Sequence, residues 1–404
     1  MSGFDDVMHH FNHHRDEIKT WLEGLRKDVQ LPLYGSFDIR DAGWKASVVD
    51  ANAFPAGFNN ISPEDYPSLA TAFVEHLHSY LPNGGRVLLW PEAHTRNDAY
   101  LENVFVLREL LESNDITVHV GTDELPPVEI DVSGGILQLG QVDVEKESVL
   151  VDGNPIDLIL LNSDLTTGPL LIDSVPILPV PSMGWYNRSK CEHFEHVKSL
   201  VHQLAEMLGI DPWLIGPWGF VSRGRCLEEA ECRERLAAEI ELGLDFISSK
   251  YSEHGIDATP SLFMKNDRGT YGLGILRIDS PEDILNLSKR KMNRLTYGRG
   301  GVQAEDFLLQ EAVPTHLRSG SGVIEPVGYG VNGLVLSWFH RINLKHGPLD
   351  NLNTPSTSFI LDSDLDGESV QQILGRRFLH RTLAEISMIA MTLEAVDHSE
   401  SGSD

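Results

Sequence analysis

Hydrophobic residues in the first half of the chain form short runs separated by stretches with helical spacing. The apolar runs are "ASVVD" (46–50), "RVLLW" (86–90), "ITVHV" (116–120), "DLILLN" (157–162) and "VPILPV" (175–180), and residues 98–113 show helical spacing. Short strands separated by helical crossovers are typical of a parallel-leaning α/β layer. Ligand sites in such a layer gather at the carboxyl ends of the strands.

The second half of the chain has a different pattern. Helical spacing predicts helices over 189–208, 226–253 and 368–396, as well as a leading amphipathic helix over 4–28. Shorter apolar runs follow residue 260 at "SLFMK", "GLGILRI", "DFLLQ", "GLVLSWF" and "TSFIL". We therefore predict an α/β (α+β) fold with an N-terminal α/β domain (1–185), a helical segment with a strand-rich domain (186–394) and a polar tail (395–404).

Composition and charge narrow the class of protein. The 404 residues exceed the size of one core, with 41% apolar and 23% charged residues, which is ordinary globular composition. The formal charge of −28 argues against a surface for nucleic acid or anionic membrane, because phosphate binding needs clustered Lys and Arg. The sequence leaves open whether the chain forms a homo-oligomer.

Targeting signals and cysteine pairs are not evident. The first residues lack a basic start and an apolar run, and no stretch approaches the roughly 20 apolar residues of a membrane helix. Cys191, Cys226 and Cys232 have no CxxC spacing, so neither a disulfide framework nor a zinc knuckle is supported. We expect a cytoplasmic protein that is neither exported nor embedded in a membrane.

Four histidines on the leading helix have the spacing of metal ligands. His9 with His13, and His10 with His14, stand four residues apart, as helical zinc ligands do. No carboxylate or cysteine clearly completes a site in the sequence. A solvated helical face is the favoured interpretation.

The stretch "FMKNDRGTYGLGI" (263–275) combines a lysine-ended strand with three glycines. A strand follows the glycines, whereas a helix follows them in Rossmann and P-loop motifs. In a β-hairpin, Gly269, Gly272 and Gly274 let main-chain N–H groups approach an anion, and Lys265 adds a positive charge. The pattern predicts a site for a triphosphate; an ordinary glycine-rich hairpin is the alternative.

Three later segments extend this prediction. "DFLLQEAVP" ends an apolar strand at Gln310 and Glu311 before a bend, which offers hydrogen bonds to a purine edge. "IEPVGYGVNGLVLSWFHRIN" places a strand before Arg341, and "DNLNTPS" follows it.

The order of these segments resembles that of the ATP-grasp ligases, and most closely the glutathione-synthetase-like branch. "VVDANAFPAGFNNI" (48–61), "HTRNDAYLENVFVLRELLE" and "PSMGWYNRSKCEHF" also fall in the expected order. Together the segments resemble the proteobacterial ATP-grasp type of glutamate–cysteine ligase over roughly residues 45–360. The resemblance implies an ATP-grasp fold with an N-terminal α/β substrate domain.

The resemblance also implies a nucleotide site. Lys190 and Lys265 are expected to contact phosphates beneath Gly269, Gly272 and Gly274, with Arg188 as an alternative to Lys190. The adenine is expected to face the bend, at Gln310, Glu311 and Val313. Surface cations without a ligand are the alternative interpretation for the lysines.

Magnesium and the small substrates complete the expectation. The resemblance implies Mg²⁺ at Asp50, Asn52 and Asp267, since Mg²⁺ prefers oxygen ligands. A strand-end turn is the alternative for Asp50 and Asn52, and Asn351 with Asn353 is a competing metal set.

Arg341 is expected to bind the transferring phosphoryl group or a substrate carboxylate, because its guanidinium matches both. Arg96 and the turn of Phe58, Asn59 and Asn60 are expected to bind glutamate. "HTRN" is alternatively a helix start capped by Asn97 or Asp98.

The implied reaction joins glutamate and cysteine at the expense of ATP. It needs positioning and charge neutralisation rather than a protein nucleophile. Two rival functions stay open: a glutathione synthetase that joins γ-glutamylcysteine to glycine, and a non-catalytic ATP-binding regulator.

Overall fold

The computed structural model describes residues 3–27, 29–93, 96–113, 115–224, 226–267, 274–297, 306–354 and 356–401. Within them the α-helices are α1 (Gly3–His13), α2 (Arg15–Lys27), α3 (Tyr66–His78), α4 (Asp98–Leu111), α5 (Lys190–Leu208), α6 (Ala230–Glu253), α7 (Glu282–Leu285), α8 (Lys289–Thr296) and α9 (Gly367–Ser401). No helix among these described segments is both long enough and apolar enough to cross a bilayer.

The strands of the described segments are β1 (Tyr34–Asp41), β2 (Ala46–Asn52), β3 (Gly85–Pro91), β4 (Ile116–Val120), β5 (Val128–Val132), β6 (Gly135–Leu139), β7 (Val142–Val144), β8 (Val149–Val151), β9 (Asn154–Pro155), β10 (Leu158–Asn162), β11 (Ile177–Leu178), β12 (Gly219–Ser222), β13 (Leu262–Asn266), β14 (Ile275–Ile278), β15 (Phe307–Glu311), β16 (Arg318–Ser319), β17 (Gly322–Val331), β18 (Leu334–Asn343) and β19 (Ser358–Ile360). Five sheets contain these strands.

A four-stranded parallel sheet confirms the predicted α/β layer. Its order is β11-β10-β3-β4, and every pairing is parallel. All five residues of β10 are buried, which explains why this strand is a continuous apolar run in the sequence. Helix α4 packs against β4, and helix α3 packs against α4. Leu69, Phe73 and Leu107 of these helices belong to the same hydrophobic core as the sheet.

One predicted strand belongs to another sheet. "ASVVD" was expected in the parallel layer, but β2 pairs antiparallel with β1, which in turn pairs antiparallel with β17. This larger sheet has the order β19-β18-β17-β1-β2, with β16 beside β17. The prediction was wrong because β1, whose alternate residues are polar, was not recognised as a strand. The domain boundaries at 185 and 394 stay a prediction.

The predicted glycine hairpin is the edge of a third sheet. Strands β13 and β14 pair antiparallel, and β15 pairs with β13 and β12 in the order β12-β15-β13-β14. Gly274 has φ +72°, and a Cβ there would lie 2.9 Å from the Cβ of Asn266. The backbone at this position therefore requires glycine.

Helix α9 packs against one face of the larger sheet. It packs against β1, β2, β17 and β18 on one side and against α1, α2 and α5 on the others. The predicted leading helix over 4–28 is two helices separated at His14. Phe37 and Ile39 of β1 are fully buried in the same hydrophobic core as Leu383 of α9, so the opposite face of β1 is free to line a cleft.

Candidate functional site

A cleft of about 560 Å³ lies between the larger sheet and the β12-β15-β13-β14 sheet. Its lining residues are Asp38, Arg40, Val49, Asp50, Phe263, Lys265, Ile275, Glu311, Val313, Glu325, Asn351 and Asn353. Apolar side chains from β13 and β14 thus face charged side chains from β1, β2 and β17.

Lys265 is buried at the centre of the cleft. Its ammonium donates to the backbone oxygen of Val49 at 2.6 Å and to Oε1 of Gln310 at 2.8 Å. Burial lowers the pKa of Lys265 to about 8, against the opposing effect of Asp50. Within the described residues, Nε2 of Gln310 is buried without a hydrogen-bond partner. This lysine and amide therefore offer polar groups to a ligand.

Lys190 reaches the cleft from the first turn of α5. Its Nζ lies 2.7 Å from Oδ1 of Asp50 and 4.4 Å from the ring centroid of Trp185. Burial raises the pKa of Asp50, but Lys190 and Lys265 outweigh it and hold the pKa below the ordinary aspartate value. Asp50 therefore stays ionised beside two cations.

The alternative cation, Arg188, is directed away from the cleft. It is 1% exposed, and its guanidinium donates to Glu394 and to the backbone oxygen of Ala51, both at 2.8 Å. This arrangement favours Lys190 over Arg188 as a phosphate contact.

Two of the predicted metal ligands are engaged in local structure. Oδ1 of Asp267 accepts from the hydroxyl of Ser189 and from the backbone N–H of Cys191, both at 2.9 Å, at the start of α5. Oδ1 of Asn52 accepts from the backbone N–H of Phe54 at 3.0 Å, which is the turn considered as the alternative. Of the three predicted ligands, Asp50 lines the cleft.

Arg341 projects from β18 into a cluster of carboxylates. Its Nη1 lies 2.5 Å from Asp38 and 2.9 Å from Glu325. Burial lowers the pKa of Arg341, but these two acids outweigh it and hold the pKa above the ordinary arginine value. Its Nε is buried without a partner among the described residues. The guanidinium of Arg341 is thus charged, and its Nε–H can donate a hydrogen bond to a ligand.

Asp38 has the most perturbed carboxyl group of this cluster. Burial raises the pKa of Asp38 to about 6, against the opposing effect of Arg341, and the carboxylates of Glu325 and Asp50 add to the rise. Asp38 and Asp50 are direct cross-strand partners on β1 and β2.

Arg40 connects the carboxylate cluster to the loop after β18. Its Nε lies 2.5 Å from Glu325, and its two Nη atoms donate to the backbone oxygens of Pro348 and Asp350 at 2.8 Å. The loop then places Asn351 and Asn353 in the cleft lining. The competing metal set therefore lies in the same cleft as Asp50.

The bend after β15 is supported by a buried ion pair. Glu311 lies 2.5 Å from Lys45 and accepts from the indole N–H of Trp213 at 2.9 Å. The backbone N–H of Val313 donates to the oxygen of Glu311 at 3.0 Å. Glu311 and Val313 line the cleft. Gln310 accepts a hydrogen bond from Lys265, which also lines it.

The predicted glutamate-binding residues lie outside the cleft lining. Phe58 is fully buried against Tyr34, Phe73 and Tyr329, so it fixes the turn from within the core. In that turn, Oδ1 of Asn59 is buried without a partner among the described residues.

Asn60 in the same turn is half-buried. Arg96 is exposed, and Asn97 caps α4 as the alternative expected. The predicted Gly269 and Gly272 lie outside the described residues.

A metal site made by the protein alone is not assembled in the described part of the cleft. Among all described residues, one group of three possible metal ligands of the types His, Cys, Asp and Glu lies close together: Asp211, Glu253 and His254. Mg²⁺ in nucleotide sites commonly takes one or two carboxylates and completes its shell with phosphates and water. The scattered oxygens of the cleft suit that kind of site.

The sequence reasoning missed Asp38, Arg40 and Glu325. A signal was present: Ser36, Asp38 and Arg40 alternate with Phe37 and Ile39, which is the period of a strand with one polar face.

A family model described as glutamate-cysteine ligase matches residues 9–395. The crystal structure of a candidate gamma-glutamylcysteine synthetase from Methylobacillus flagellatus KT has a TM-score of 0.87 at 28% identity, covering 97% of this chain and 96% of that chain. No significant relative was found among curated protein sequences.

Two further solved structures are more distant. D-alanyl-alanine synthetase A from Vibrio cholerae has a TM-score of 0.36 at 12% identity, covering 74% of this chain and 81% of that chain. A glutathione synthetase-like effector from Globodera pallida has a TM-score of 0.38 at 10% identity, covering 89% and 80%. At these TM-scores neither likeness carries an argument.

Proposed function

Since the chain belongs to the glutamate–cysteine ligase family, we propose that its cleft uses ATP to join the γ-carboxylate of L-glutamate to the amine of L-cysteine. The fold is the ATP-grasp arrangement of two antiparallel sheets around a cleft, beside an N-terminal α/β layer. The observation that carries the proposal is that the buried ammonium of Lys265 shares the cleft with carboxylate and amide oxygens. Two of these carboxylates, those of Asp38 and Glu325, pair with the half-buried Arg341.

The charge and the apolar surface of the cleft support ATP as its ligand. Phe263, Ile275 and Val313 supply apolar surface for a base, and Lys265 and Lys190 supply positive charge for the phosphates. The bend from Gln310 to Val313 is the proposed adenine edge. Gly274 immediately precedes β14, and with Gly269 and Gly272 it is the proposed cover of the phosphates.

Magnesium fits the donor set of the same cleft. Asp50 is the proposed carboxylate ligand, and Asn351 and Asn353 offer further oxygens in the lining. Asn52 and Asp267 stay predicted ligands, although both are engaged in hydrogen bonds. When bound, Mg²⁺ neutralises charge on the β- and γ-phosphates.

The proposed reaction has two steps, both of which depend on positioning. A γ-carboxylate oxygen of glutamate attacks the γ-phosphorus of ATP, and the bond to the β-phosphate oxygen breaks to leave ADP and an acyl phosphate. The neutral amine of cysteine then attacks the acyl carbon; the C–N bond forms, phosphate leaves and one amine proton is released. Arg341 faces the negative charge that develops on the transferring group.

Glutamate is proposed to bind at Arg96 and at the turn that contains Phe58, Asn59 and Asn60. The unpartnered oxygen of Asn59 supports a polar ligand at this turn. Three free cysteines, Cys191, Cys226 and Cys232, support the proposed cytoplasmic location, where thiols stay reduced. Cell fractionation with a periplasmic marker tests that location.

The acceptor is tested by substrate pairs. We expect ADP release from purified protein with ATP, Mg²⁺, glutamate and cysteine, and γ-glutamylcysteine as the product by mass spectrometry. ADP release only with γ-glutamylcysteine and glycine would overturn the proposal in favour of a glutathione synthetase. ATP binding without ADP release from either pair would indicate a non-catalytic regulator.

A further inference from the structure

Four imidazole rings cluster on the outer face of α1 and at His14, the residue between α1 and α2. The backbone N–H of His14 donates to the oxygen of His10 at 2.9 Å, so the helical spacing continues to His14. His9 stacks on His13 and His10 stacks on His14, each pair with centroids 6.2 Å apart. The pairs adjoin each other, with centroids 4.8 Å apart between His13 and His14 and 6.1 Å apart between His9 and His10. Each ring therefore has two of the other three as neighbours, with at most 6.2 Å between ring centroids.

The helix that carries these rings is firmly anchored. Phe4, Val7 and Phe11 on its inner face are 0–1% exposed, and Phe11 makes an edge-to-face contact with Phe378 of α9 at 6.3 Å. His9 and His13 are exposed, and His10 and His14 are half-buried. The backbone under the rings is therefore held in place by the core, so a ligand need only order the side chains.

A carboxylate orients one of the rings in the way that metal sites do. Nδ1 of His14 lies 2.7 Å from Oε2 of Glu17. Histidines that bind metals commonly donate their second ring nitrogen to a carboxylate, which fixes the ring and makes the other nitrogen a better ligand. In this arrangement Nε2 of His14 is the nitrogen left for a metal. Glu17 is thus an observation separate from the histidine spacing.

We propose that His10 and His14 chelate a divalent transition-metal ion of the class that prefers imidazole, such as Zn²⁺, with His13 as the nearest additional ring. Two histidines four residues apart on one helical face are an established zinc-binding arrangement. The site lies where α1 meets α2, outside the cleft, and its occupancy is independent of the ligase reaction.

A competing group of ligands carries its own cation. Asp211, Glu253 and His254 lie close together, but Nζ of Lys250 lies 2.9 Å from both Asp211 and Glu253. An ammonium in that position opposes a metal ion by repulsion. The four rings of α1 have no such cation among their described contacts.

The test is calorimetric titration of the full chain with Zn²⁺, with excess Mg²⁺ present to occupy hard-oxygen sites. We expect the wild type to bind Zn²⁺, and the His10→Ala/His14→Ala variant to lose at least tenfold in affinity. Glu17→Gln should weaken binding about tenfold, as loss of an orienting carboxylate does. Zn²⁺ should also raise the thermal midpoint of the wild type but not of the double variant.

Two control variants separate this site from other ligands. His78→Ala removes a histidine that also pairs with a carboxylate, Asp115, at 2.9 Å, and it should bind Zn²⁺ like the wild type. His254→Ala should likewise leave the titration unchanged. The proposal is overturned if the wild type binds no Zn²⁺, if the His10→Ala/His14→Ala variant binds equally well, or if His254→Ala abolishes binding.

Discussion

Replacing Lys45 by methionine should destabilise the protein by about 3–5 kcal/mol, because it leaves a buried carboxylate without its counter-ion. Lys45 and Glu311 are 0% and 1% exposed, with 2.5 Å between Nζ and Oε2. Burial lowers the pKa of Lys45 in spite of Glu311. The pair therefore consists of two desolvated charges, each of which depends on the other.

The expected loss of stability depends on which interactions Glu311, or its replacement, keeps after each substitution. In Lys45→Met, Glu311 keeps the indole N–H of Trp213 at 2.9 Å but has lost the cation with which it forms an ion pair. The double variant Lys45→Met/Glu311→Gln removes both charges and keeps an acceptor for Trp213, so its cost should fall to about 1 kcal/mol, the worth of one neutral hydrogen bond. The double variant should thus be more stable than Lys45→Met alone.

Denaturant unfolding followed by tryptophan fluorescence measures these differences, and calorimetric titration with ATP shows whether the bend is displaced. Lys19→Met is the matched control, because the pair of Lys19 with Asp16 is exposed and 3.8 Å apart and should contribute less than about 1 kcal/mol. An unfolding midpoint of Lys45→Met equal to that of the wild type would refute the reasoning, as would a double variant less stable than the single one.

Three further outcomes test the cleft. Lys265→Ala should weaken ATP binding, measured by calorimetry, about tenfold or more, because it removes a charge-assisted hydrogen bond. Burial lowers the pKa of Lys265 to about 8, and the protonated form binds phosphate, so the affinity of the wild type for ATP should fall as the pH rises through that value. Lys265→Arg should abolish this fall in affinity. Arg341→Lys should lower kcat more than ATP affinity, and unchanged turnover would contradict its role. Asp50→Asn should raise the Mg²⁺ concentration needed for half-maximal activity; an unchanged requirement would move the metal to Asn351 and Asn353.

The parallel sheet was predictable because most residues of its two central strands are buried on both faces. "DLILLN" and "RVLLW" are apolar runs of strand length, and they form the two central strands β10 and β3. The hairpin of β13 and β14 was predictable for a different reason, since glycines separate two apolar runs. In both cases the local sequence contains the pattern that the tertiary structure uses.

The strand β1 could not be placed by the same reasoning. Its two faces serve different environments, with Phe37 and Ile39 in the core and Asp38 and Arg40 in the cleft. Its pairing with β17 joins residues almost three hundred positions apart, and the contact of Arg341 with Asp38 has a sequence separation of 303. A local sequence pattern does not contain the information for such a pairing. The carboxylate cluster therefore could not be predicted, although Arg341 itself was identified as a site residue.

Two cations beside the cleft pair with carboxylates of the protein itself. Lys190 pairs with Asp50, and Arg341 pairs with Asp38 and Glu325. A phosphate that contacts Lys190 must compete with Asp50, whereas a metal ion that binds Asp50 releases Lys190 for the phosphate. Under the proposed function, Mg²⁺ and ATP therefore each strengthen the binding of the other, and by thermodynamic reciprocity the two effects are equal in free energy. The competition between these ion pairs and the two ligands thus accounts for coupled binding of metal and nucleotide.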